Sequence, residues 1–584
     1  MRIAVVDKEK CRPDKCNYEC IAFCPPQKNK IKVFEIGNDK KPIIDENTCI
    51  GCGICVKKCP FNAIIIINLV KEPGEKVFQY GPNTFRLYRL PIIKERSVIG
   101  IIGRNGMGKT TAINILTGLI KPNFGEWNRE FDEKEIIKRF RGTELQTYFE
   151  KLYSKQLKIS YKPQNIFYVS KMYGDMKVKD FLLKVVDEEK LKEISEKFDL
   201  KNILDRNIKN LSGGELQKVL FLFTVLKDHN VLFLDEPTNY LDIYERVRII
   251  SYLEELEDTI IVIDHDLLFL DALSDIIYVV YGVQKAYGVF SYPMGVKDGI
   301  NQYLEGFLRR ENLKIRDKPI KLDVKPYSFK KTNEEIISWE NVIVNLDGFE
   351  LKSEKGSILK NEIVGIIGRN GIGKTTFIRA LAGEIKYEGK INRNIKISYK
   401  PQTFEFTEEI TVDQFIKRFN PNYKTDYREY LVDLGIFDLL DHKINTLSGG
   451  EAQTVYTFSV LISDADLFLL DEPFSSLDIE QRLKMSKFIR EIVLQREKAA
   501  VIIEHDLLFI DYISDRMMVV LGEPGKRGYV IGPLENKEAL NIFLKELGIT
   551  MRKDKETKRM KINKRDSYLD RLQKSMDKYF LEEE

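Results

Sequence analysis

VIGIIGRNGMGKTT, running from Val98 to Thr111, is an apolar stretch that enters a glycine loop and ends on Lys-Thr-Thr. The text returns as IVGIIGRNGIGKTT, from Ile363 to Thr376. Each apolar run is short and nearly continuous, which suits a strand of a parallel sheet covered on both faces. Each loop fits G-x4-G-K-[ST], through Gly103, Gly106, Gly108, Lys109 and Thr110 and again through Gly368, Gly371, Gly373, Lys374 and Thr375. Glycines let backbone N–H groups close around phosphates at a helix N-terminus. With Asn105, Thr111, Asn370 and Thr376, these residues make two candidate ATP-binding loops. One such match carries little. Two, in register with further repeated text, carry a duplicated domain.

Downstream stand VLFLDEP at Val231–Pro237 and LFLLDEP at Leu467–Pro473. Alone, an apolar run ending in Asp-Glu reads as a strand end in a turn. Placed after a glycine loop, it reads as chemistry. Lys109 and Lys374 are expected at the β- and γ-phosphates, with Thr110 and Thr375 on Mg²⁺. Asp235 and Asp471 are expected to hold Mg²⁺ through water, and Glu236 and Glu472 to polarise the attacking water.

LSGGE occurs at Leu211–Glu215 and at Leu447–Glu451. With this pentapeptide the chain resembles the ABC ATPases. The resemblance implies Q-loop residues Gln164 and Gln402, which also reach Mg²⁺, and D-loop residues Asp242 and Asp478. It implies His265 and His505, in VIDHD and IIEHD, as switch histidines with a catalytic role at the γ-phosphate. It implies too that the signature of one domain completes the ATP site of the other. Ser212, Gly213 and Gly214 would then meet the ATP on Lys374, and Ser448, Gly449 and Gly450 the ATP on Lys109. The nucleotide becomes glue between the halves, and hydrolysis releases it. The family often has Arg after LSGGExQ, where this chain has Lys218 and Thr454; support of the second signature helix is left open. Tyr80, Phe85 and Phe349 lie upstream of the loops, where adenine stacking and ordinary core packing are both open.

All eight cysteines fall between Cys11 and Cys59, a clustering that argues for metal or cluster ligation in a reducing compartment. CIGCGICVKKCP, from Cys49 to Pro60, has the spacing Cys49-x2-Cys52-x2-Cys55-x3-Cys59-Pro of bacterial-type 4Fe–4S ferredoxins. Cys11-x4-Cys16-x3-Cys20-x3-Cys24-Pro is a looser relative. In two-cluster ferredoxins the fourth cysteine of each run serves the other cluster. The expected sets are Cys49, Cys52 and Cys55 with Cys24, and Cys11, Cys16 and Cys20 with Cys59. Zinc is the competing reading, though it prefers two separated ligand pairs.

The composition, 43% hydrophobic and 31% charged, describes a soluble globular chain long enough for several domains. AIIIINLV, Ala63–Val70, falls well short of the roughly 20 residues that cross a bilayer, and reads as a buried strand. MRIAVVDKEKC lacks the apolar core of a signal peptide, so a cytoplasmic protein without a membrane partner is expected. Net charge is only +4, but Met551–Arg565 carries eight Lys/Arg against two Asp/Glu. That run reads as a solvated or frayed end, or as a phosphate-backbone contact.

The two copies differ by about 27 residues between glycine loop and Q-loop, near Glu126–Lys158 of the first. The inserted text reads as two amphipathic helices around Gly142, either a partner contact or a decoration. YGVQKAYGVFSYP and LGEPGKRGYVIGP follow the two copies and suggest a hinge. The expected organisation is multidomain α/β. It comprises a ferredoxin-like α+β iron–sulfur domain (1–72), a first ABC domain (73–285, insertion about 126–158), a hinge (286–335), a second ABC domain (336–524), and a second hinge with basic tail (525–584).

With RGTELQTYF, AYGVFSYPMGVKDGINQYLEGFL and NKRDSYLDRLQK, the chain is similar along essentially its whole length to the ribosome-recycling ABC ATPases, the RNase L inhibitor family. The resemblance implies ATP, Mg²⁺ and two 4Fe–4S clusters, and an ATPase whose lobes close to split ribosomes after termination or rescue. It implies as partners the small ribosomal subunit and a class I release factor or Pelota-like factor, with a link to initiation factors, for a monomeric protein. The terse Lys/Ile-rich text suggests an archaeal source. The clusters are expected as stiffening struts, with electron transfer as the competing use. Two rivals from other classes are the ATPase subunit of an ABC transporter and an ATP-gated reductase. The first has no use for the cysteine module.

Overall fold

The computed structural model describes residues 2–69, 73–321, 332–346, 348–554 and 559–582. Both glycine-loop strands lie at the centre of a mixed sheet. In the first lobe, Ile159–Lys162, Val231–Asp235, Thr259–Ile263, Val98–Gly103 and Ile276–Val283 run parallel in that order across the sheet. In the second, Ile397–Lys400, Leu467–Asp471, Ala499–Ile503, Ile363–Gly368 and Arg516–Glu523 repeat the pattern. Val231–Asp235, Thr259–Ile263, Leu467–Asp471 and Ala499–Ile503 are buried at every position, as strands covered on both faces must be. This ordering sets the carboxyl ends of neighbouring strands side by side, which is where the glycine loops, the Asp-Glu pairs and the histidines all fall.

The expected domain edges move. Tyr287–Phe290 pairs with Ile276–Val283 inside the first sheet, and Arg527–Leu534 pairs with Arg516–Glu523 inside the second. The boundaries drawn at 285 and 524 therefore cut hairpins, because glycine-rich hairpin turns read like linkers. Of the first expected hinge, helix Val296–Glu305 packs on the first lobe's edge, and 322–331 lie outside the described residues. Residues 70–72, at the expected end of the iron–sulfur domain, also lie outside them. In the insertion, helices Glu133–Arg139 and Glu144–Tyr153 flank Gly142 and bury Ile136, Leu145 and Phe149 against the first lobe.

Where it is described, the C-terminal stretch is folded rather than frayed, although Lys564 and Arg565 stay exposed. Met551–Lys553 sits between Met560–Ile562 and Phe580–Glu582 in a three-stranded sheet with Met551, Met560 and Phe580 buried. Several of its cations are spent internally: Lys561 pairs with Asp271 and Asp554, and Lys564 with Glu254. Asp271 and Glu254 belong to the first lobe, whereas helix Asn536–Leu547 packs on the second, so this module ties the two together. Residues 555–558 of the basic run lie outside the described residues.

The small N-terminal domain is built on Arg2–Val6 paired antiparallel with Ile64–Asn68. One face, with Ile3 and Val5, packs on Ala286 at the hairpin turn of the first lobe. Asn83 fastens it. Its Oδ1 accepts from Ile44 N at 2.6 Å, its Nδ2 donates to Ile44 O and Ala4 O at 3.0 and 3.2 Å, and its carbonyl accepts from Val6 N at 3.0 Å. Beside it, buried Arg86 pairs with Glu46. Removing a buried partner leaves amides unsatisfied at about 2 kcal/mol. Asn83→Ala is therefore expected to lower hydrogen-exchange protection of the Ile44 amide about 30-fold, with the second lobe unchanged.

Candidate functional site

The first glycine loop joins Val98–Gly103 to helix Lys109–Leu116, and the second joins Ile363–Gly368 to helix Lys374–Ala382. Gly108 and Gly373 turn into these helices with φ of +85° and +98°, a region where only glycine is comfortable. A Cβ at Gly108 would collide with the Phe85 ring, and one at Gly373 would lie 2.8 Å from the Phe349 ring. Phe85 and Phe349 thus form matching walls of the two loop pockets while leaning on the core of their own lobes. Tyr80 stands exposed at the rim of the first, its hydroxyl 3.0 Å from Thr111 Oγ1.

Within each loop the lysine is buried, Lys109 Nζ donating to Gly103 O at 2.6 Å and Lys374 Nζ to Gly368 O at 2.9 Å. Thr110 Oγ1 donates to Asp235 Oδ2 at 3.2 Å and Thr375 Oγ1 to Asp471 Oδ2 at 2.6 Å. Gln164 Nε2 donates to Glu236 Oε1 at 2.8 Å and Gln402 Nε2 to Glu472 Oε1 at 2.6 Å. Burial first, and the adjacent glutamate second, push Asp235 up to about 7 and Asp471 to about 6. Hydroxyl, carboxylate and amide oxygens gathered beside a glycine loop are the hard donors that suit Mg²⁺.

Glu236 and Glu472 both occupy the left-handed region, with φ of 48° and 47°. Side-chain-bearing residues sit there only where surroundings over-determine them, and such strain collects at functional sites. Here the surroundings are polar. The Glu236 and Glu472 amides donate to Ile263 O and Ile503 O at 2.8 and 2.9 Å. Gln217 Nε2 donates to Glu236 O at 2.9 Å, and Gln453 holds Glu472 O in the same way. Sequence reading gave these two glutamines no role; the signal was the repeated LSGGExQ, whose Gln served only to place Lys218 and Thr454.

The histidines differ. His505 Nε2 lies 3.0 Å from Glu472 Oε1, whereas His265 Nε2 lies 3.0 Å from Asn105 Oδ1 and 3.6 Å from Glu236 Oε1. Burial, then the loop lysine, pushes both imidazoles below their ordinary range. Burial alone would raise the Glu472 carboxyl, but His505, Lys374 and Lys400 hold it below the usual carboxylate range.

The lobes meet through these same segments. Asp242 Oδ2 accepts from Asn370 N at 2.7 Å, and Asp478 Oδ2 accepts from Asn105 N at 3.1 Å. Their other oxygens cap their own helices, from Glu245 N and Gln481 N at 2.9 Å each. Arg104 pairs with Glu480 at 3.1 Å, and Arg369 lies 3.9 Å over the Tyr244 ring. Ser448, Gly449 and Gly450, at the start of helix Gly449–Leu461, line one cavity of about 1140 Å³ together with Lys109 and Glu236. Lys10 of the N-terminal domain lines it as well. The cavity at Lys374 is smaller, about 340 Å³, and among the described residues only second-lobe side chains line it. Ser212 and Gly213 stay off that lining, though Gly214 faces the Asn370 side chain across the lobes. The signature helices are supported unequally: Lys218 Nζ donates to Phe198 O and Glu245 Oε1, while Thr454 Oγ1 turns back to Gly450 O.

Among the cysteines, Cys11, Cys16, Cys20 and Cys59 line one small cavity. Burial first, then Cys59, raises the Cys20 thiol to about 12. In the other set, burial first and Cys49 next raise Cys55 to about 11, with Cys52 and Cys24 also in range. Among the described residues no three His, Cys, Asp or Glu side chains converge on a point fit for one ion. The thiols of Cys11, Cys16, Cys20 and Cys59 stand around a space instead, the arrangement a polynuclear cluster fills.

Residues 1–33 match the family described as a possible Fer4-like domain in RNase L inhibitor, and 42–65 the 4Fe-4S binding domain. Residues 92–239 and 351–475 each match the ABC transporter family. The translation initiation factor RLI1 of Saccharomyces cerevisiae is 38% identical over 99% of this chain and 98% of its own length, and the ABC transporter E family member 1 of Arabidopsis thaliana is 38% identical over 99% and 98%. The chain belongs to the RNase L inhibitor family, ABC subfamily E. An ABC transporter ATP-binding protein of Methanocaldococcus jannaschii is 44% identical over 100% of this chain and 98% of its own. A solved structure described as ribosome-bound archaeal Pelota and ABCE1 superposes with a TM-score of 0.94 at 42% identity, covering 99% of both chains. Another, of the archaeal ribosomal stalk protein aP1 with the archaeal ribosome recycling factor aABCE1, gives 0.80 at 42% identity over 87% of this chain and 99% of that one. Like the rest of the RNase L inhibitor family, the chain is an iron–sulfur protein with two ABC ATPase domains, and an ATP-hydrolysing enzyme. No helix among the described residues is long and apolar enough to cross a membrane.

Two measurements check this geometry. Gly108→Ala is expected to abolish nucleotide binding at the first loop alone, so that fluorescent-ATP titration falls from two equivalents to one. Glu504, buried beside Glu472, is pushed up to about 8 by burial first and Glu472 second. A carboxyl raised above its unfolded value favours the fold while protonated, and that stability is lost as pH rises towards 8. Glu504→Gln should therefore gain more thermal stability at pH 8 than at pH 6 in scanning calorimetry.

Proposed function

We propose that this chain is the ATPase that drives ribosome recycling: its two lobes close on ATP, the ribosome is split after termination or rescue, and the protein stays on the small subunit to link to initiation. The observation that carries the reading is the full-length likeness, iron–sulfur module included, to a chain described as ribosome-bound with Pelota. A transporter subunit would have no use for that module. Pelota-like or class I release factors and the small subunit are the partners it implies.

In this reading Lys109 and Lys374 hold the β- and γ-phosphates, and Thr110, Asp235 and Gln164, with Thr375, Asp471 and Gln402, hold Mg²⁺. Mg²⁺ supplies charge neutralisation at the transferring phosphoryl group. Glu236 and Glu472 orient and polarise water, while His265 and His505 hold the γ-phosphate end. Phe85 and Phe349 wall the adenine, with Tyr80 at the rim. Ser448, Gly449 and Gly450 complete the first site, and Ser212, Gly213 and Gly214 complete the second on further closure. The asymmetry supports unequal sites. Cys11, Cys16, Cys20 and Cys59 would hold one 4Fe–4S cluster and Cys24, Cys49, Cys52 and Cys55 a second, giving a small domain rigidity its own core cannot.

The test uses the full chain with both glutamates changed to Gln, sedimented with small subunits at low and high salt. With ATP the variant is expected to stay bound to the subunits, while the wild-type protein dissociates as it hydrolyses. A variant that binds ATP but never sediments with subunits overturns the proposal.

A further inference from the structure

The phrase ISYKPQ stands at Ile159–Gln164 and again, unchanged, at Ile397–Gln402. Only its glutamine has a role so far. Its lysine is the last residue of a strand beside the Asp-Glu strand, Lys162 paired in register with Leu234 and Lys400 with Leu470. Both lysines have no exposed surface at all. Lys162 Nζ donates to Asp235 O at 3.0 Å and to Pro163 O at 3.1 Å. Lys400 Nζ donates to Asp471 O at 2.7 Å and to Glu472 O at 3.2 Å.

A fully buried ammonium held only by neutral carbonyls is costly to keep. What offsets the cost is charge nearby: Asp235, Glu236 and Asp264 face Lys162, and Asp471, Glu472 and Glu504 face Lys400. A cation placed so in both copies has a task.

The peptide it grips explains the task. Asp235–Glu236 and Asp471–Glu472 are the links at which the chain enters the left-handed region. The N–H of that peptide is tied to the next strand, through Ile263 O and Ile503 O. Its C=O is tied by the lysine. The signature-helix glutamines Gln217 and Gln453 hold the following carbonyl. Each strained glutamate is therefore clamped from three elements, and a carboxylate displaced by an ångström no longer meets its water.

We propose that Lys162 and Lys400 are positioning residues for ATP hydrolysis: each is a buried clamp on the Asp-Glu peptide of its own lobe and sets where the glutamate points. Neither reaches the phosphates, whose own lysines are Lys109 and Lys374. The inference rests on the role proposed for Glu236 and Glu472.

The experiment measures single-turnover hydrolysis and ATP affinity separately in the full-length protein. The first site is read in a Glu472→Gln background and the second in a Glu236→Gln background. Lys162→Met fills the same volume without the donors. It is expected to slow hydrolysis at the first site by 10-fold or more, with ATP affinity within 3-fold and no loss of thermal stability. Lys162→Arg, which keeps donors and charge, should recover part of the rate. Lys400→Met should do the same at the second site and leave the first alone. Unchanged hydrolysis in both Met variants overturns the proposal, as does a loss shared equally by affinity. A Met variant that does not fold overturns it too, because the lysine would then be holding the fold rather than the glutamate. If Glu236→Gln itself leaves first-site hydrolysis intact, the underlying reading of the glutamates fails instead.

Discussion

The structure turns on two carboxylates that each serve two masters. Asp242 and Asp478 use one oxygen to cap their own helix and the other to accept an amide of the opposite lobe's glycine loop. Both are fully buried, so neither bond competes with water. A shift in either glycine loop must therefore be felt by a helix of the other lobe. Buried Arg246 and half-buried Arg482, paired with Asp266 and Asp506 at 2.5 and 2.7 Å, flank these contacts and keep the charge balanced. Coupling between the two sites needs no longer path than this.

Around that centre the molecule is two-fold in sequence and unequal in space. The N-terminal domain docks chiefly on the first lobe, through Asn83, Arg86 and the apolar contact at Ala286, and reaches the second through Asn62 Nδ2, which donates to Asp438 Oδ1 at 2.8 Å. The hairpin carrying Ala286 also bonds the first glycine loop, Lys285 N donating to Gly106 O at 3.0 Å. Asp7 lies 3.7 Å from that same lysine's ammonium. The second lobe repeats the hairpin bond, Gly525 N to Gly371 O at 2.8 Å. The difference between the pockets, about 1140 against 340 Å³, follows the same division. Among the described residues, the hairpin that bonds the first glycine loop is the one on which the iron–sulfur domain rests.

Each Asp-Glu pair concentrates the local cost. Two adjacent carboxylates are buried beside a lysine, the second of them in a backbone region that side chains avoid. The surroundings hold this state with main-chain acceptors from one strand, a glutamine from the signature helix and a lysine from the Q-loop strand. The signature helix that reaches towards the opposite site is thereby fastened to the glutamate of its own.

The sequence alone was enough for the duplicated domain, the loops, the Asp-Glu strands and the grouping of cysteines, because these are local: a glycine needed at positive φ, an apolar strand, a fixed ligand spacing. It also pointed to the family, through motifs short enough to survive as text. What it left out has one cause. Hairpin turns at 281–288 and 521–528 read as linkers because glycine looks alike in a turn and in a hinge, and only strand pairing tells them apart. The basic run read as a solvated end or a phosphate contact because the partners of Lys561 and Lys564, Asp271 and Glu254, lie far away in the chain. Lys162, Lys400, Gln217 and Gln453 were visible as repeated letters but had no role until folding put them under one strained peptide. Chain-distant contacts of that kind are decided by packing, and a linear pattern carries no record of which buried group will meet which.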